Sequence, residues 1–276
     1  MKKNILFLTL LISLASSAQK ISLSKGQQIT ITSVLTQDID MIGIGMQMKN
    51  DTRSTGIVEV NDIDKENFTS TYTLSKMNFN MDMMGQHNSY DSEKPEDKNS
   101  EMGKSFSDKI GKQVTVLINK KTGKATLEKT AITHKANEEA NPLDGIMNSF
   151  GSVGDDATVE TIFFIIPAGK KMGDTWVDSS ITKGMKELRT YTIKSLNGSL
   201  ANIGLFSKLE GNNSIESQGM QMDVVISAKT EGEILVDTKT SLVKKRSSVM
   251  DLSGSIEVMG QSVPITSKAI VNIDYN

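Results

Sequence analysis

Apolar residues recur at every second position over four stretches of the chain. Met77, Phe79, Met81 and Met83 alternate with Asn78, Asn80 and Asp82. Met220, Met222, Val224, Ile226 and Ala228 form a second run, and Met250, Leu252, Gly254, Ile256 and Val258 a third. Ile42, Ile44, Met46 and Met48 form a fourth. In a strand, successive side chains point to opposite faces, so a period of two specifies half-buried strands. Thr, Val and Ile are abundant around these runs and suit a pleated surface. Polar turn segments separate them: Asn119-Lys120-Lys121-Thr122-Gly123, Glu210-Gly211-Asn212-Asn213 and Asp237-Thr238-Lys239-Thr240-Ser241. The expected fold is mainly β, with long antiparallel strands joined by hairpins and two or three short helices. A weak internal echo between the turns, and between two Met-Gly-Gln tripeptides, suggests two similar curved halves, 25–133 and 168–276. A partly helical stretch, 134–167, would join them.

Helical signals are few. Met102, Phe106 and Ile110 are spaced for one helix face over 100–110, and Gly111 fits a helix stop. Residues 142–150 are a second candidate. Residues 156–164 read as a short helix or as the lead into a buried strand. The polar, charged stretch 88–101 reads as an exposed, mobile loop.

Residues 1–18 carry a secretory signal pattern: Lys2 and Lys3, an apolar run from Ile5 to Leu14, and small residues ending at Ala18. The run is too short to span a bilayer, which takes about 20 apolar residues. Cleavage after Ala18 would leave residues 19–276 as a single β-rich domain, periplasmic or extracellular. It would take the net charge from −2 to −4. The absence of Cys excludes disulfides, thiolate metal sites and a Cys nucleophile. Near-neutral charge argues against nucleic acid as a partner.

The segment Pro167-Ala168-Gly169-Lys170-Lys171-Met172-Gly173-Asp174-Thr175-Trp176, together with Tyr90-Asp91-Ser92 and Lys121-Thr122-Gly123, resembles a family of uncharacterised secreted bacterial proteins. That family has a central Pro…Gly-Asp-(Ser/Thr)-Trp motif. The resemblance implies a β-rich fold and an export route, and it carries over no catalytic residue. Physically, Gly173 suits a positive-φ turn, and Asp174 can accept backbone N–H bonds there. Trp176, the one Trp, reads as a core anchor.

Sixteen Met residues are the compositional oddity. Paired thioethers such as Met81 and Met83, with His87 nearby, could bind Cu(I). Their alternation fits a core or an adaptable pocket lining better. Asp62-Ile63-Asp64-Lys65-Glu66 lacks the glycine of a calcium loop and reads as a solvated turn. No Gly-x-Ser-x-Gly elbow is present, and the only histidines are His87 and His134. Lys244-Lys245-Arg246 reads as a solvated strand face.

These features place the chain as a non-enzymatic exported module that binds or carries an apolar small molecule or lipid. No cofactor or metal is expected. An envelope structural or interaction protein is the alternative, and a hydrolase on unrecognised carboxylates the third reading. The candidate ligand or structural residues are Gly173, Asp174, Trp176, Met77, Phe79, Met81 and Met83.

Overall fold

A computed structural model describes residues 21–107, 109–128, 155–182, 184–217, 220–258 and 261–276. The expected helix at 142–150, His134 and the signal segment lie outside the described residues. The strands are β1 (Gln28–Met41), β2 (Met46–Ile63), β3 (Asn67–Met83), β4 (Gln86–Asp91), β5 (Gln113–Asn119) and β6 (Ala125–Leu127), followed by β7 (Thr175–Thr182), β8 (Met185–Asn197), β9 (Leu200–Ser217), β10 (Met220–Asp237), β11 (Val243–Val258) and β12 (Gln261–Tyr275). Two short helices accompany them, α1 (Glu101–Ser107) and α2 (Asp155–Glu160).

The fold is mainly β, as the alternation predicts. Among the described residues the strands form one open antiparallel sheet, ordered β6-β5-β3-β2-β1-β12-β11-β10-β9-β8-β7, with β4 paired to the far part of β3. β1 and β12, the first and last strands, pair from Ile31–Tyr275 to Met41–Ile265. The strands of 25–133 and those of 168–276 therefore lie on opposite flanks of one sheet, with β1 and β12 as the seam.

One face of the sheet is inner. Two apolar clusters sit on it, one toward each end of the long strands. The first gathers Ile29 and Ile31 of β1, Phe68 and Tyr72 of β3, Ile203 of β9, Ile234 of β10 and Tyr275 of β12, with Val159 of α2 and Phe163 packed in. The second gathers Ile39 and Met41 of β1, Met48 of β2, Phe79 and Met81 of β3, Ile226 of β10 and Leu252 of β11, with Met102 and Phe106 of α1 packed against it.

Several local expectations are corrected. Ile42–Ile44 is a 3-10 turn at the tip of the β1–β2 hairpin, not strand, and Ile42 and Ile44 are 63% and 55% exposed. The alternation simply ran past the end of pairing. Residues 210–213 lie inside β9 and not in a turn, because β10 pairs with all four and β8 also pairs with Glu210 and Gly211. Residues 88–91 belong to β4, and Tyr90 is buried there, so the expected loop is narrower than 88–101. At 156–164 both readings hold in part: α2 ends at Glu160, and Phe163 then bridges to Leu242.

Candidate functional site

The two ends of the inner face are sealed to different degrees. Among the described residues the first cluster has 26 buried residues and eight partly buried apolar ones against it. The second has twelve buried and ten partly buried. Nine of its members are methionines: Met41, Met48 and Met81 are buried, and Met46, Met77, Met83, Met102, Met185 and Met250 only partly so. Thioether chains have three rotatable bonds and no branch, so this lining can repack around an occupant.

Helix α1 covers part of this end. Ser100 starts it by accepting the Gly103 N–H at Oγ (2.9 Å), the bond of an N-cap. The Phe106 ring lies 5.6 Å from that of Phe79 and 5.3 Å from that of Tyr90. The Tyr90-Asp91-Ser92 segment fixes the approach. Ser92 Oγ accepts the Met77 N–H (2.9 Å), and Asp97 Oδ2 accepts the Asp91 N–H (2.8 Å). Burial, then the nearby Asp97 and Asp91, pushes the Tyr90 hydroxyl above its ordinary value.

Of the predicted residues, Phe79 and Met81 are buried here and Met77 and Met83 line the edge. His87 does not join them. It stands opposite Asp82 on the other face of the strand pair, with Nδ1 3.0 Å from Asp82 Oδ1. Met83 and His87 are near in sequence, but the pleat sends them to opposite faces, so the chain offers no Met–His copper set at this position. Among the described residues no cluster of His, Asp and Glu could hold a metal ion.

A polar row separates the two clusters. Gln37, 1% exposed, donates from Nε2 to Ser267 Oγ (3.1 Å). Ser33 and Ser54 share a hydrogen bond of 2.8 Å. Ser207 donates to Glu187 Oε1 (2.7 Å). Arg189, opposite Ser207, lies 3.2 Å from Glu187 and 3.4 Å from Asp178. Burial works against its charge, but Glu187 and the neighbouring groups hold its pKa above the ordinary value.

Gly173, Asp174 and Trp176 belong elsewhere, at the start of edge strand β7. Gly173 takes φ +88° and donates its N–H to Ile193 O. Asp174 Oδ2 accepts the Lys171 N–H (2.8 Å), which closes the turn. Trp176 is half-buried. It stacks on Tyr191 (5.4 Å, 27°) and leans on Phe164, with Lys170 Nζ 6.0 Å from its ring centre. The motif thus docks β7 on β8, and it is separate from the methionine end.

Of the expected turn at Asp62–Glu66, Asp62 and Ile63 end β2 and residues 64–66 form the turn, all five exposed. Asp64 Oδ1 accepts the N–H groups of Asn67 and Glu66, and these bonds lower its pKa. The Lys244-Lys245-Arg246 reading is corrected. A bulge between Leu235 and Val236 pairs Val236 with Val243 and Leu235 with Lys245, so Lys244 is the extra residue. Arg246 then falls opposite Ile234 and Ile273, on the inner face. Sequence reasoning missed it because a bulge leaves no mark in an alternation count.

The chain belongs to the family of unknown function DUF6263, whose sequence model matches residues 65–243. No curated protein matches it. Among solved structures it is similar to lipovitellin, in a structure of lipid–protein interactions in that protein, at 9% identity and a TM-score of 0.52. The match covers 92% of this chain and 25% of that one, so the chain spans about a quarter of the lipovitellin chain. At this identity the likeness is one of fold. Pseudomonas aeruginosa OccK5 matches at 7% identity and a TM-score of 0.24, over 91% of this chain and 98% of that one. An outer membrane channel of Pseudomonas putida F1 matches at 5% and 0.22, over 93% and 97%. Scores this low carry no argument.

Proposed function

We propose that this DUF6263 member is an exported, non-enzymatic module that binds or carries an apolar ligand on the methionine-rich end of its inner face. One observation carries the reading: among the described residues ten apolar residues there are only partly buried around twelve that are buried, whereas at the other end eight are partly buried around 26. An unsealed, repackable apolar surface beneath a helix of seven residues is what an apolar occupant needs. The fold likeness to lipovitellin, whose structure describes lipid–protein interactions, supports a lipid-like occupant. The signal pattern at 1–18 supports export.

Native mass spectrometry of the chain, purified without detergent from the envelope of its own cells, tests this. An adduct removed by organic extraction is expected. A bare mass of residues 19–276 would overturn the reading. It would favour an interaction protein, for which Val177 and Ile181 on edge strand β7, 60% and 77% exposed, would be the contact.

A further inference from the structure

On the ligand-binding reading above, we propose that Arg246 recognises the head of the ligand, which is therefore an amphiphile with an anionic head and a long apolar tail.

The bulge at Lys244 is the first support. Without it Lys245 would face inward and Arg246 outward; with it the side chains exchange faces. The fold thus places a guanidinium on an apolar floor, flanked by Ile234 on β10 and Ile273 on β12, which are 1% and 5% exposed. A cation there needs an anion or water, since an unpaired charge in apolar surroundings is costly.

The second support is the absence of a partner. Among the described residues the Arg246 side chain has no ion pair and no hydrogen bond; its electrostatic neighbours are the tyrosines Tyr191 and Tyr275. Arg189, the other inner arginine, is already matched by Glu187 and Asp178. Arg246 is the inner cation left for a ligand.

The third is direction. The next inner-face pair along β10 and β11 is small, Gly232 opposite Ser248, with Leu205 and Val271 beside it. Along β11, the inner residues beyond Ser248 are Met250, Leu252, Gly254 and Ile256, which begin about 13 Å and end about 33 Å from Arg246 at ~3.3 Å per residue. A tail laid in that direction runs from the cation onto the methionine end. The guanidinium fork fits a carboxylate or a phosphate.

Displacement of a fluorescent fatty-acid probe by three single-tail ligands tests this on residues 19–276: oleate, 1-oleoyl lysophosphatidate and oleyl alcohol. The wild-type chain should bind the anions about tenfold more tightly than the alcohol, a difference on the scale of one charge-assisted bond. Arg246→Gln should lose that preference and keep the alcohol affinity; Arg246→Lys should keep most of it. Preference for oleate over the lysophosphatidate, or the reverse, identifies the head chemistry. If Arg246→Gln, with wild-type melting, keeps its preference for anions, or if the wild type shows none, Arg246 is not the recognising group. If no ligand binds the wild type, the carrier reading fails as well.

Discussion

Truncating one residue at each end of the inner face should reveal the difference between them. Ile234 is 1% exposed, belongs to the first, more deeply buried cluster, and sits between Ile203 and Arg246. Ile234→Ala removes three carbons, worth about 2.4 kcal/mol in transfer at ~0.8 kcal/mol each. The cavity left among fixed neighbours raises the cost to about 3–4 kcal/mol. Met250 is only partly buried, and Thr230 and Ala269 stand opposite it. Water already reaches its site, and flexible methionines nearby can close over the gap. Met250→Ala should cost about 1 kcal/mol. For a chain this size, that corresponds to a fall in Tm of roughly 10 °C for Ile234→Ala and roughly 3 °C for Met250→Ala. Urea and thermal melts followed by circular dichroism measure both. Equal losses would show that the methionine end is an ordinary closed core, and the reasoning from partial burial would be refuted.

Other outcomes follow from single sites. Ser70 is fully buried and among the described residues its hydroxyl has no hydrogen-bond partner, so Ser70→Ala should raise stability by about 1 kcal/mol in urea melts; a loss of that size would mean the hydroxyl is satisfied. A Cβ on Gly56 would lie 2.4 Å from the Tyr72 ring, so Gly56→Ala should lower the melting midpoint, and Gly56→Ala with Tyr72→Leu should restore part of it. Trp176→Ala should cost about 2 kcal/mol in urea melts followed by circular dichroism, below the range of a fully buried Trp, because the ring is half-buried against Tyr191 and Phe164. Burial raises the hydroxyls of Tyr275 and Tyr191 above 10.0. Their contribution to stability is therefore complete below pH about 10 and is lost as the pH rises through their raised folded values. Melts between pH 8 and 11 should show this fall, and Tyr275→Phe should reduce it.

Much of the fold was legible because alternation is local. The runs at 77–83, 220–228 and 250–258 are strands, and the turns at 119–123 and 237–241 separate strands. What alternation cannot show is which strand meets which. The seam between β1 and β12 joins residues more than 220 positions apart, and only pairing geometry defines it. Turn residues misled where strand pairing captured them, as at Glu210-Gly211-Asn212-Asn213 within β9, all four paired with β10 and the first two also with β8. Polar composition misled at Tyr90, whose single ring locks β4 under α1. The methionine site was half legible: Met77, Phe79, Met81 and Met83 were visible as a strand face, but Met46, Met102, Met185 and Met250 join them only through the sheet order. Arg246 was hidden by one extra residue in one strand.

The most direct test of an accessible methionine end is the methyl spectrum of the chain labelled with 13C at its methionine methyls, recorded as oleate is added. The account predicts that Met46, Met83, Met185 and Met250 shift, while the exposed Met84 and Met172 stay in place. Shifts confined to Met84 and Met172, or an unchanged spectrum, would contradict it.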